Sequence, residues 1–405
     1  MRHGLDPALR WTPVVNARPL RRVRALVRRR RASHTGGATV TPGNARATVS
    51  RGMPMEYVPI LRGKAGEFIA LRNISADVQA RIRPLLEVHP DQRLADVVQT
   101  FADHAGDHLP GNLTVTVDCG QLWQYGAVGT GFRGHAMRWL SDAFREWLHT
   151  LVPAFRTTDP DGSLDETRQA QLAHGAGGCL RVDLNHLPHG PRELTEDVRR
   201  TLDAVVLKPP DTDLLLDAGY LPDADTVTGL VPRATEVLAW ARALPWRRIA
   251  LAGGAFPPSL RRVTPHVLTA LRRHDLDLWE RVARRAGGRP PDFGDHGVTH
   301  PEPPAPARVR AAPVNLRYTS GRHWHVVRAV GMAGIDTLRL CRELTRAEVW
   351  FGGRTDDELS WGDGEIRLRA DGLAAGPGGP SQRRAWETSH HLAAVTRSIA
   401  ERGRP

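Results

Sequence analysis

The sequence predicts a (β/α)8 barrel of the TIM type carrying a C-terminal β-hairpin and helix extension. Three observations carry that prediction. From Tyr57 to about residue 300, eight short apolar runs each end in a polar residue or a glycine. Segments of helical periodicity separate the runs, so the chain alternates strand and helix as a parallel sheet requires. The repeat of roughly 25 to 40 residues and the count of eight match a closed barrel. An open doubly wound sheet is the competing architecture, and the count favours closure.

The first run is YVPILRGK (57–64), followed by IRPLLE (82–87), LTVTVD (113–118) and LVPAFR (151–156). CLRVD (179–183), TDLLLD (212–217), RRIALAGG (247–254) and PDFGDHG (291–297) complete the set. Strands buried on both faces read as such continuous apolar stretches rather than as strict alternation. Between them, DQRLADVVQTFADHAG, AMRWLSDAFREWLHTL, ELTEDVRRTLDAVVL and TVTGLVPRATEVLAWARAL read as helices, and PSLRRVTPHVLTALRRHDLDLWERVARRA (258–286) reads as one long helix. After a Pro-rich connection, LRYTSGRHWHVVRAV reads as two strands about a Ser-Gly turn. A helix is expected at about 334–346, and a last one ends near Ala400. The domain expectation is an extension over 1–52, a barrel over 53–310 and a C-terminal extension over 311–405 packed against it.

Composition excludes some classes. Of 405 residues, 40% are hydrophobic and 25% charged, and no apolar run reaches the roughly 18 residues of a membrane span. No membrane partner is therefore expected. The net charge of +12 is concentrated at the start: residues 1–52 hold twelve arginines and one acid, Asp6. The rest of the chain is close to neutral. The Arg-rich stretch has no apolar core of signal-peptide length and reads as a disordered extension that a start at Met53 or Met55 would omit. A nucleic-acid-binding arm is its functional alternative. Cys119, Cys179 and Cys341 lie far apart without a Cys-x-x-Cys pair, which fits a reducing cytoplasm rather than a disulfide or zinc framework.

In closed α/β barrels the site is built where strands run out into βα-loops. Lys64, Glu87, Asp118, Arg156, Asp183 and Asp217 end the first six runs, and they are expected to share one mouth. Glu87, Asp118, Asp183 and Asp217 are the candidate oxygen ligands of a divalent cation, Mg or Mn, or a general base. Lys64 and Arg156 are the candidate anion-holding cations. Lys64 is one of only two lysines among 56 basic residues, the other being Lys208. Its GKAG context is half a phosphate loop. Gly253 and Gly254, followed by a Pro257-Pro258-Ser259 helix start, are placed where barrels seat phosphate. Asp295 and His296 in DFGDHG, Arg317 and Tyr318 in LRYTSG, Trp361 and Asp363 in SWGDGE, and His391 in ETSHH are further candidate ligand contacts. Trp361 and Asp363 are expected to lie over the mouth as an aromatic wall and an acid.

MEYVPILRGKAGEFIALRNISADVQARIRPLLEVHP resembles the opening of the beta protein family, and DFGDHGVTHP, LRYTSGRHWHVVR, SWGDGE and WETSHHLAAV resemble its later stretches. The resemblance spans about 55 to 400 and leaves 1–52 outside. It implies relatives linked to phages and supplies no mechanism. The residues themselves lead to a metal-assisted hydrolase acting on a small phosphate-bearing ligand. The alternative is a non-catalytic factor that binds a nucleotide, nucleic acid or protein in phage–host conflict.

Overall fold

Eight parallel strands close into one barrel in the computed structural model, which describes residues 56–90, 94–124, 136–187, 191–302, 313–351, 359–403 and 405. The Arg-rich stretch 1–52, the proposed starts Met53 and Met55, and the barrel–extension boundary at 310/311 lie outside those residues. The barrel strands are β1 (Tyr57–Leu61), β2 (Leu85–Glu87), β3 (Val115–Asp118), β4 (Leu151–Phe155), β5 (Gly178–Asp183), β6 (Thr212–Tyr220), β7 (Arg248–Gly254) and β9 (Asp292–Asp295). Each expected run supplies one of them. Closure is made by β9, which pairs in parallel with β7 through Leu251–Phe293 and with β1 through Val58–Gly294.

The helices sit where their caps and periodicity place them. They are α1 (Ala65–Arg72), α2 (Ala76–Gln79), α3 (Leu94–His108), α4 (Gly120–Gln124), α5 (Ala136–Glu146) and α6 (Asp161–His174). The second half of the barrel adds α7 (Pro191–Ala204), α8 (Ala224–Ala241) and α9 (His274–Ala286). Ser75 accepts from the Val78 amide, and Asp223 accepts from the Thr226 amide at 2.8 Å, satisfying amides that a helix start leaves unpaired.

One expected helix divides. Residues 258–286 form α9 only from His274 onward, and Thr269–Arg272 is a strand, β8. It pairs antiparallel with β11 (His323–Arg328), which pairs antiparallel with β10 (Asn315–Ser320). The β10–β11 turn is the expected Ser-Gly turn, with Gly321 at φ +53°, a conformation glycine adopts without steric cost. A partner about fifty residues away captures β8, which local periodicity does not register. No helix begins at Pro257-Pro258-Ser259 either.

The chain ends in α10 (Gly334–Thr345), α11 (Trp361–Ala370) and α12 (Pro380–Arg402). Alternation along β10 and β11 gives the small sheet two faces. Leu316, Tyr318 and Val327 join Leu340, Trp350, Ile366 and Trp386 in a second core. Trp324 and Val326, on the other face, join the main core, as do Leu392, Val395 and Ile399 of α12. The extension is therefore bonded to the barrel by a shared core while keeping one of its own.

Inside the barrel, Ile60, Leu85, Val152, Ala154, Cys179, Leu215, Ala250 and Ala252 form a separate apolar cluster. Below it an ionic layer closes the amino-terminal end: Arg247 holds Asp213 through two 2.8 Å bonds, and Arg83 also pairs with Asp213. The apolar cluster fixes which residues point inward, and therefore what lines the opposite end.

Candidate functional site

Counting in steps of two from the interior cluster, the next inward residues are Glu87 after Leu85, Arg156 after Ala154, Arg181 after Cys179, and Asp217 after Leu215. Asp118 is paired in register with Glu87 and shares its face. These five side chains form the floor of the mouth. Arg181 is its centre. Its Nη1 donates to Glu87 Oε1 and to Asp118 Oδ2, both at 2.7 Å, and its Nε and Nη2 donate to Asp217 Oδ2 at 2.9 and 2.6 Å. Arg156 adds a bidentate pair to Asp118 at 2.8 and 2.6 Å. The Gly120 amide donates to Asp118 and the Gly219 amide to Asp217. A Cβ at Gly120 would stand 1.7 Å from Arg156 Nη1, so any side chain there would have to shift that guanidinium from its pair with Asp118.

These pairings decide the charge state of the floor. Burial alone raises the Glu87 carboxyl, but the Arg181 guanidinium and the His89 hydrogen bond outweigh it and hold Glu87 at about 2. Burial likewise opposes ionisation of Asp118 and Asp217, and the arginines override it, keeping both carboxyls well below the usual range. Asp159, behind Arg156, goes the other way. Burial pushes its carboxyl up to about 6 despite Arg156, whose amide it accepts at 2.8 Å.

The metal expectation named Glu87, Asp118, Asp183 and Asp217, and the structure places them unequally. Three of the four carboxylates converge, but a guanidinium sits where a Mg or Mn ion would, with its donors already on their oxygens. Asp183 shares the inward face one layer above Arg181, yet it is exposed and holds His186 and the Asn185 amide. Among the described residues no group of three or more His, Cys, Asp or Glu is arranged to hold a metal. Arg156 is committed to Asp118. Lys64 is exposed at the amino-terminal end of α1, where Glu67 accepts from its amide, so its ammonium does not enter the floor.

The remaining expectations divide by face. His296 follows Gly294 on the inward face and lies 3.8 Å from Asp217, too far for a hydrogen bond. Asp295 faces the other way, into the seam with the extension. It accepts from Tyr57 Oη at 2.6 Å and Arg273 at 3.1 Å and lies 2.9 Å from His391 Nε2. His391 continues to Thr319, 2.7 Å away. Burial opposes the Asp295 charge, and His391 with Arg273 holds it at about 2. Tyr318 stacks on His390 in the second core rather than on the barrel face. His390 in turn pairs with Asp363, which is fully buried, and Trp361 packs against the same core. Asp363, Tyr318 and Trp361 are thus placed in and around the second core. A Cβ on Gly253 would meet Leu221 at 2.7 Å and one on Gly254 would meet Pro301 at 2.9 Å, so both glycines pack closely against the chain's own side chains.

Sequence reasoning missed Arg181, His89 and Gln121. His89 stands two residues past Glu87, and its Nε2 lies 3.0 Å from Glu87 Oε2, the acceptor. His89 Nδ1, His296 Nε2 and Gln121 Oε1 are buried without a hydrogen-bond partner. Both histidines leave strands that flank β1, since β2 and β9 are its two neighbours. An arginine inside the apolar run CLRVD, and a histidine two places beyond a strand-end acid, were the available signals.

A family model described as Beta protein matches residues 57–397. The curated Protein beta of Enterobacteria phage P4 is 24% identical over 348 residues, covering 83% of this chain and 91% of that protein. The match takes in the barrel and the extension together. No helix among the described residues is long and apolar enough to cross a membrane.

Proposed function

The chain belongs to the Beta protein family, and on that premise we propose that its barrel mouth binds a small phosphate-bearing ligand and hydrolyses it by proton transfer through His89 and His296. The observation that carries this reading is the buried His89 Nδ1, left without a hydrogen-bond partner, with His296 Nε2 buried 3.8 Å from Asp217. Leaving such atoms unpaired is costly, and an incoming ligand or its attacking water relieves the cost. Glu87, kept ionised by Arg181, takes the Nε2 proton of His89 as a hydrogen bond, so the Nδ1 lone pair is the one available as a base. His296, beside Asp217, is then the proton donor to the leaving oxygen. The Arg181 floor serves as rigid support for both groups.

The test is release of product from p-nitrophenyl phosphate, bis-p-nitrophenyl phosphate and nucleoside triphosphates, with EDTA and with magnesium. Turnover should persist in EDTA and fall about 100-fold or more in His89→Gln and in His296→Gln. No turnover across the panel, or turnover that both variants retain, overturns the reading. A non-catalytic binding protein is the second reading. It is favoured by the saturation of all three floor carboxylates, none of which is left as a proton donor.

A further inference from the structure

Three arginines from three separate elements converge on the loop leaving β9. Arg62 directly follows β1, Arg317 lies on the barrel-facing side of β10, and Arg384 is in the first turns of α12. Arg62 Nη2 donates to the His300 and Glu302 carbonyls at 2.5 and 2.7 Å. Arg384 Nη1 donates to the Val298 carbonyl at 3.0 Å, and Arg317 Nη1 donates to that same oxygen. Carbonyls satisfy donors but cancel no charge. The nearby acids are Glu387, 3.4 Å from Arg384 and 4.0 Å from Arg317, and Glu67, which also accepts from the Lys64 amide. Glu87 also acts on Arg62, but its carboxylate is already bonded to Arg181, so the cluster's charge is only partly compensated.

Donor capacity remains as well. Nε of Arg62 and Nε of Arg317 are buried and make no hydrogen bond, the latter lying 4.0 Å from Glu387. Burial pushes the Arg317 guanidinium down to about 9; Arg384 and Arg62 add to the push, and Glu387 and Glu67 oppose it. The cluster is still reachable, since the Arg317 and Arg384 side chains keep 13% and 25% of their surface exposed.

We propose that Arg62, Arg317 and Arg384 form an oxyanion site that takes a phosphate group, free or as a monoester, at the junction of barrel and extension. Guanidinium groups match the geometry and charge of phosphate, and convergence from three elements fixes their positions before the ligand arrives. The inference goes beyond the hydrolytic reading and concerns binding alone. The bland alternative is a clamp, in which the arginines only fasten the 298–302 loop.

The experiment is calorimetric titration and thermal melting of the full chain in EDTA, with inorganic phosphate, phenyl phosphate, and sodium chloride at matched ionic strength. Phosphate or phenyl phosphate should raise the melting temperature beyond chloride, and the preferred one identifies free anion or ester as the ligand form. Arg317→Gln and Arg384→Gln should each weaken that binding about tenfold or more. Arg384 is the more exposed residue, so its variant decides the matter if Arg317→Gln does not fold. A response no larger than chloride's overturns the site. So does an increment unchanged in the variants, which is the clamp's signature. Phosphate binding without turnover leaves this site standing and overturns only the hydrolytic reading.

Discussion

Replacing Arg181 by Met should reverse the pH dependence that the mouth contributes to stability. In the wild type, Glu87 sits at about 2, and Asp118 and Asp217 are also held below their ordinary values. A carboxyl depressed in the folded state contributes stability that is complete above its unfolded value and is lost only as pH falls through the folded one. The floor therefore contributes a constant amount between pH 7.5 and 5. Without Arg181, Glu87 and Asp217 lose their arginine partner, whereas Asp118 keeps Arg156. Removing one member of a buried ion pair costs about 3–5 kcal/mol, because the partner stays behind uncompensated. Burial then dominates and raises both carboxyls above their unfolded values, so the variant gains stability as pH falls toward 5. Each unit of such a shift is worth about 1.4 kcal/mol. Urea melts at pH 5, 6 and 7.5 should show the deficit of Arg181→Met shrinking by more than about 1 kcal/mol between the two ends. Magnesium or manganese should stabilise the variant, whose Glu87 and Asp217 carboxylates are released from Arg181, and leave the wild type unchanged. A deficit independent of pH, or a wild type stabilised by the metal, would refute the assignment of Arg181 as the built-in cation of the floor.

Two further variants probe the same floor. Asp159 has its carboxyl raised to about 6, so its charge costs stability that grows as pH rises from the unfolded value through 6. Asp159→Asn keeps the acceptor for the Arg156 amide and should be more stable than wild type by up to about 2–3 kcal/mol at pH 8, with no difference near pH 4; equal melts at pH 8 would refute this. Gly120→Ala places a methyl group 1.7 Å from Arg156 Nη1 and must displace the bidentate pair with Asp118. It should cost about 1–3 kcal/mol, read by thermal melting, and a neutral substitution would show that Arg156 is mobile enough to matter little.

The fold was legible because a parallel barrel buries its strands on both faces. Runs such as LTVTVD and TDLLLD need no partner information to be recognised. β8 was not legible, since TALR is only partly buried and becomes a strand through β11, far along the chain. The site was legible in depth but not in direction. Counting to the end of a strand finds Asp118, Asp217 and Asp295 equally well, yet only the first two face the mouth. Direction comes from the interior: Gly294 lies against Ala252, where a Cβ would approach to 2.7 Å, and that contact turns His296 inward and Asp295 out. The same parity sends Arg317 toward the barrel and Tyr318 away from it. Depth also hid Arg181. It lies one layer below Asp183, within an apolar run, where a charged residue reads as an interruption of the strand. A barrel interior this apolar accepts a buried guanidinium only with several carboxylates around it. An arginine on the inward parity of a barrel strand, together with acids ending its neighbours, therefore implies an ion-paired floor. The same acids without that arginine would have implied a metal.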